Sequence, residues 1–301
     1  MENYKSGFIA IVGRPNAGKS TLLNALMKEK IAIMTDTPNT TRNNIAGILT
    51  KDDVQYVFVD TPGIHKPQQQ LGRVLNKSAY TAMEDCDVIA WIVDITQRFG
   101  PGDEFILNRI KSLRKPVLLL VNKIDRFSKE KMIQALMAWQ QKYDFDEIIP
   151  LSAKDQENLD EVLATIKNYL PDGPAMYPDE MKTDHDENFR ICEVIREKIL
   201  NKTEEEIPHS IAVVLEKKEI RDGKAFINAL VIVDRDSQKG ILIGKQGSMI
   251  KEIRIASQRE LSKMLGMRID LELYVRVEKN WRNKEQKIRE FGLDELNEGT
   301  R

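Results

Sequence analysis

The chain has little of what marks a secreted or membrane-embedded protein. Only two of its 301 residues are cysteines, Cys86 and Cys192; they lie far apart and without metal-ligand spacing. That pattern offers neither a disulfide framework nor a zinc cluster, and both thiols read as small core residues. No uninterrupted apolar run approaches the roughly 20 residues that a membrane-spanning helix needs. The opening, MENYKSGFIAIVG, puts charge before a strand-length apolar run and shows no small-residue cleavage site, so the expectation is a cytoplasmic protein without a transmembrane segment. Internal repeats and low-complexity tracts are missing too. Glycine and proline number only 16 and 11, against 41% hydrophobic and 31% charged residues, a composition that argues against disorder.

The length allows two compact domains, since one core usually serves about 100 to 200 residues. The net charge of -1 supplies no general attraction to nucleic acid, but charge is unevenly spread. Between Lys239 and Arg289 there are 13 Lys/Arg against 6 Asp/Glu, enough local excess to hold a phosphate backbone.

In the first half, short apolar, β-branched runs (8–12, 54–60, 87–94, 116–123, 147–153) alternate with amphipathic stretches of helical length (71–84, 103–113, 129–142, 157–169). Such alternation predicts an α/β domain with a mostly parallel sheet covered by helices. Residues 170–187, LPDGPAMYPDEMKTDHDE, concentrate Pro, Gly and acidic side chains without an apolar period and read as an interdomain linker. The expected organisation is a first domain over 1–170, a linker over 171–187 and a second domain over 188–301. In the second half the order is helix, two strands around a turn at Arg221-Asp222-Gly223, two helices separated by Gly244-Lys245-Gln246-Gly247, and a final strand.

The run FIAIV leads straight into Gly13-Arg14-Pro15-Asn16-Ala17-Gly18-Lys19-Ser20, with Thr21 opening a helix. This fits GxxxxGK[ST] between strand and helix, where backbone N–H groups around Asn16, Ala17 and Gly18 curl about phosphates. Lys19 then reaches the outer phosphate oxygens, and the Ser20 hydroxyl is a ligand for Mg²⁺. Such a loop does not choose between ATP and GTP. Asn122-Lys123-Ile124-Asp125, at the end of the run PVLLLV, does: the Asp125 carboxylate can accept both the ring N–H and the exocyclic amine of guanine, a donor pair adenine lacks. Ser152-Ala153-Lys154 would add a backbone N–H to the guanine oxygen. Asp60-Thr61-Pro62-Gly63 would hold the Mg²⁺ hydration shell through Asp60 and the γ-phosphate through the Gly63 backbone. Thr41, in Thr40-Thr41-Arg42, would join the Mg²⁺ only while GTP is present, as in GTPase switches. Lys19, Thr41 and Gly63 are therefore the candidates nearest the chemistry. Ile64 stands where many GTPases carry a water-orienting glutamine, so hydrolysis must be organised otherwise. His65 reads as an exposed loop residue, and Arg42 as a support for Thr41 or a residue facing water.

In the second half, Ile243-Gly244-Lys245-Gln246-Gly247 with Lys251 has the form of the GxxG loop of a KH domain. Its glycines admit a nucleic-acid backbone, Lys245 meets phosphate, and the flanking apolar helix and strand form a groove for about four unpaired bases. Together, GRPNAGKS, Asn39-Thr40-Thr41-Arg42, Asp60-Thr61-Pro62-Gly63-Ile64-His65-Lys66-Pro67, NKID and SAK resemble the bacterial Era family of translation-factor-related P-loop GTPases. Glu206-Ile207-Pro208-His209-Ser210 and Trp281-Arg282 extend the likeness into the second half, which would then be an α+β type II KH domain.

That resemblance implies binding to the 3′ end of small-subunit 16S ribosomal RNA, help in assembling that subunit, GTP as substrate with GDP as product, and peripheral association of a monomer with the inner membrane. It also implies a potassium ion beside the phosphates, held by Asn16 and by carbonyls around Thr35 to Thr37. From the residues alone, a GTP-gated adaptor that recruits protein or membrane partners stays open as the alternative.

Overall fold

The computed structural model describes residues 4–35, 37, 40–203 and 207–293. Leaving aside Thr35–Thr37 and Gln69–Leu71, it divides into two compact units between Asp184 and His185. The first is a six-stranded sheet in the order β2-β3-β1-β4-β5-β6, formed by β1 (Lys5–Val12), β2 (Ile45–Lys51), β3 (Val54–Asp60), β4 (Val88–Asp94), β5 (Val117–Asn122) and β6 (Glu147–Leu151). All neighbours are parallel except β2 and β3. The helices are α1 (Lys19–Met27), α2 (Gln70–Asp85), α3 (Pro101–Ile110), α4 (Lys129–Gln140) and α5 (Leu159–Tyr169). Strands β4 and β5 are buried along their whole length, which is why they read as apolar runs without alternation. Trp91 of β4 is fully buried and meets Trp139 of α4 edge-on, with ring centroids 5.7 Å apart.

Strand β2 is absent from the apolar runs recognised in the sequence. It is an edge strand holding a glycine, and Gly47 is there because α1 packs close: a Cβ on it would lie 2.5 Å from Leu23 Cδ1.

Residues 171–184, within the stretch 171–187 read from composition as a linker, are hydrogen-bonded to the sheet of the first unit. Ser6 N–H donates to the Pro171 carbonyl (3.3 Å), Gly173 N–H to Tyr4 (2.9 Å) and Ile48 N–H to Lys182 (2.9 Å). The side chain of Gln55, fully buried, is the centre of this attachment. Its oxygen accepts from the N–H groups of Met176 (2.7 Å) and Tyr177 (2.9 Å), and its amide donates to the Tyr177 carbonyl (2.8 Å) and the Thr50 hydroxyl (3.0 Å). Tyr177 and Met181 pack on Ala46, Ile48 and Val57.

The second unit holds α6 (Glu187–Leu200), the short α7 (Ile207–Ser210), β7 (Ala212–Arg221), β8 (Lys224–Val233), α8 (Asp236–Ile243), α9 (Ser248–Leu265), β9 (Arg268–Val277) and α10 (Glu285–Glu290). Its sheet runs β7-β8-β9, antiparallel then parallel. The two-residue turn between β7 and β8, Asp222-Gly223, has φ of 51° and 71°, the left-handed pair whose twist suits a tight hairpin. Alternate residues of β8 (Ala225, Ile227, Ala229, Val231, Val233) are buried. Trp281 is fully buried as well, and its indole N–H donates to the Ser210 carbonyl at 3.0 Å. Glu206 lies outside the described residues, as do Asn39 and Asp36 of the segments singled out in the sequence. Among the described residues no helix is long and apolar enough to cross a membrane.

Candidate functional site

The first candidate site lies at the carboxyl ends of β1, β3, β4, β5 and β6, where open α/β sheets gather their ligand-binding loops. Gly13 follows β1 directly, and a Cβ there would fall 2.4 Å from the Ile92 carbonyl of β4. Gly18 combines φ 106° with a second constraint, since its Cβ would sit 2.2 Å from Asn122 Nδ2. The loop is thus closed against two neighbouring strands, and only glycine fits those two positions.

Asn122 binds three segments together. Its amide donates to the Ala17 carbonyl (2.9 Å) and its oxygen accepts from the Ala153 N–H (2.9 Å). Lys123, left-handed at φ 69°, sends its ammonium to the Asn16 carbonyl (2.8 Å) and to Asp94 Oδ2 (2.7 Å). Asp125 is exposed, with one carboxylate oxygen accepting from the buried Ser152 hydroxyl at 2.8 Å. Lys154 is exposed as well. The base-reading, phosphate and SAK segments therefore form one hydrogen-bonded assembly.

Lys19 is buried and donates to the Gly13 (3.3 Å) and Arg14 (3.1 Å) carbonyls. Burial pushes its ammonium below the ordinary lysine pKa, while the Asp60 carboxylate pulls the other way. Asp60 is fully buried. Its Oδ2 accepts from Ser20 (2.6 Å) and Thr41 (3.1 Å), and those two hydroxyls lie 2.9 Å apart. Its Oδ1 is buried without a hydrogen-bond partner. Burial raises the carboxyl pKa, opposed by Lys19, Ser20 and Thr41. A buried carboxylate with an orphaned oxygen costs about 1–3 kcal/mol or more unless something compensates it. One carboxylate and two hydroxyls fit Mg²⁺, a hard cation that takes its remaining ligands from water and phosphate.

Gly63 is held against the phosphate loop, where a Cβ would lie 2.9 Å from Pro15 Cγ and 3.1 Å from Pro15 N. Ile64 N–H donates to the Gly13 carbonyl (3.3 Å), and its side chain is fully buried in the core with Val12 and Trp91. The expectation for His65 is corrected here, and one of the two alternatives for Arg42 is removed. His65 is half-buried rather than an exposed loop residue, with Nδ1 2.9 Å from the Gly63 carbonyl and its own carbonyl accepting from Asn76 (2.7 Å). Arg42 is only 4% exposed and does not face water.

Two acids outside the motifs flank the same loop. Asp94 closes β4 and meets Lys123, as above. Asp103, buried at the start of α3, accepts from the Gly100 N–H (3.0 Å) and pairs with Arg14 (3.1 Å). Their signal in the sequence was weak: one acid ending an apolar strand, one in the first turn of a helix.

The second candidate site is the turn between α8 and α9. Gly244 has φ 72° and ψ 176°, and a Cβ on it would lie 2.7 Å from Met249 Cβ; Gln246 and Gly247 are left-handed at 51° and 78°. Lys245, Gln246 and Lys251 are exposed and Ile243 is half-buried. The turn presents an ammonium and an amide on a backbone that only glycine at 244 permits.

Residues 8–123 match a family model described as a 50S ribosome-binding GTPase, and residues 206–282 match the KH domain. The chain is similar to an Era variant from Aquifex aeolicus solved with GDP and AlF₄⁻, at 38% identity and a TM-score of 0.93, over 96% of this chain and 99% of that one. It is equally similar, by the same measures, to Era solved with MgGDPNP and nucleotides 1506–1542 of 16S ribosomal RNA.

Proposed function

Because the chain belongs to the Era family of GTPases, we propose that it binds GTP with Mg²⁺, hydrolyses it to GDP and phosphate, and binds the 3′ end of 16S ribosomal RNA through its KH domain during assembly of the small ribosomal subunit. The observation that supports this most is the meeting of Ser20, Thr41 and Asp60 beside buried Lys19, on a loop that Asn122 ties to the segment carrying Asp125 and Ser152.

In this reading the backbone from Asn16 to Ser20, with Thr21, surrounds the phosphates, and Lys19 carries a positive charge to the β and γ oxygens. Its burial concentrates that charge, because water no longer screens it. Ser20 and Thr41 would ligate Mg²⁺ and Asp60 its water shell; the ion, when bound, neutralises charge developing on the phosphates. Asp125 reads guanine, Ser152 fixes the carboxylate, Ala153 offers its N–H, and Lys123 and Lys154 border the base. Gly63 presents its N–H to the γ-phosphate. Since Ile64 points into the core and orients no water, we assign the charge-offsetting role to a potassium ion at Asn16. Ile243, Gly244, Lys245, Gln246, Gly247 and Lys251 form the RNA contact. The protein works in the cytoplasm as a monomer, associating peripherally with the inner membrane.

Crosslinking the protein to RNA in cells and sequencing the adducts tests the RNA half. Adducts concentrated at the 3′ end of 16S ribosomal RNA are expected; adducts on transfer RNA, or none, would contradict the proposal.

A further inference from the structure

The geometry points to Asp94 as a positioning residue for nucleotide binding, one that holds Lys123 across the phosphate loop. This rests on the reading of Gly13–Ser20 as a nucleotide site. Lysine has a flexible four-carbon stem and loses much rotamer freedom when fixed. Here its ammonium is shared between two acceptors on different segments, the Asn16 carbonyl at 2.8 Å and Asp94 Oδ2 at 2.7 Å.

Asp94 is itself immobilised. Its Oδ1 accepts from both the N–H (2.9 Å) and the hydroxyl (2.6 Å) of Thr96, and its side chain is 6% exposed. Burial opposes ionisation of this carboxyl, but the bonds from Lys123 and Thr96 outweigh it and hold the pKa below the usual range. The carboxylate is therefore a fixed anion at the end of β4, and Lys123 is the strut between it and the loop.

The strut ends on a sensitive peptide. Asn16 is left-handed at φ 61°, where a non-glycine residue is strained. The Asn16–Ala17 peptide unit is held from both sides, its carbonyl by Lys123 and its N–H by the Arg14 carbonyl at 3.3 Å. The next carbonyl, Ala17, is held by Asn122 at 2.9 Å. Fixing these planes fixes which way the loop's remaining N–H groups point. Without Asp94, Lys123 can swing into solvent and the Asn16 peptide can turn, so the loop must be reordered each time nucleotide binds. The penalty falls first on residence of nucleotide, of GDP as well as GTP, because the loop surrounds the phosphates that both share.

Release of fluorescent mant-GDP, followed by stopped flow alongside GTP turnover at saturation, tests this. Asp94→Asn should speed release about tenfold, the scale of one charge-assisted hydrogen bond, with a smaller fall in kcat. Thr96→Val, which removes the hydroxyl bond to Oδ1 and keeps the backbone one and the charge, should speed release about threefold. In a Lys123→Ala background, Asp94→Asn should add less than about twofold, since its route is already cut. A folded Asp94→Asn protein with wild-type release would overturn the role, as would full multiplication of its effect with that of Lys123→Ala. If Asp94→Asn does not fold, wild-type release from Thr96→Val overturns it in the same way. Wild-type protein that holds no mant-GDP would overturn the nucleotide reading itself.

Discussion

Both sites are built on a glycine-bearing turn that feeds a helix, Gly13–Ser20 into α1 and Gly244–Gly247 into α9, and the two turns are held in opposite ways. The first is braced by side chains from other elements: Asn122, Lys123 and, through Arg14, Asp103 all reach its backbone or side chains, and its working lysine is buried. The second is shaped mainly by its own glycines and by Met249, and its Lys245 and Gln246 are exposed. A braced, buried turn offers one ligand geometry at high local field, as a compact polyphosphate requires. An exposed turn carries charge on mobile side chains, which suits a long, variable polymer whose backbone supplies affinity and whose bases supply choice.

The comparison breaks most visibly at the braced turn. Lys19→Ala removes the only buried ammonium from it, and GTP turnover should fall about 1000-fold or more, measured as phosphate release. Near-wild-type turnover would remove the nucleotide site from this loop.

Next in size is Asp125→Asn. The amide presents a donor where the carboxylate accepted one, so GTP should weaken about 100-fold and XTP gain. A purified variant that still prefers GTP would refute the base-reading role of this segment. The smallest effect sharpens the same side: at constant ionic strength, potassium should stimulate wild-type turnover about tenfold over sodium, while Asn16→Ala should be indifferent to the salt. Equal wild-type rates in both salts would reject the ion.

The opposite construction of the two turns also explains what the sequence disclosed. GxxxxGK[ST], DTPG, NKID and SAK were legible because each residue faces a fixed chemical demand at a fixed spacing, and the strands between them are apolar throughout. GxxG alone is a weak signal, and it became informative only through the order of elements and the local positive charge around it. What stayed hidden depends on contacts between distant segments. Strand β2 owes its place to pairing with β3 and to packing of Gly47 on Leu23. The attachment of 171–184 depends on Gln55, whose four hydrogen bonds no local pattern announces. For Arg42 the sequence left support of Thr41 and exposure to water both open, and only its burial in the fold removes the second. Asp94 gave no sign beyond ending a strand, because its partner Lys123 follows the next strand.

A GTPase and an RNA binder share this chain through separate turns, if the two sites work as proposed. Fluorescence anisotropy of labelled RNA carrying the segment equivalent to nucleotides 1506–1542 of 16S ribosomal RNA, titrated with wild type and with Lys245→Asp/Gln246→Asp, tests that most directly. Wild type should bind, with affinity falling as salt rises. The double variant should lose about 100-fold, because two carboxylates then face the RNA phosphates, while its GTP turnover without RNA stays at the wild-type rate. Unchanged RNA affinity in the double variant would contradict the account and move the RNA surface away from Gly244–Gly247.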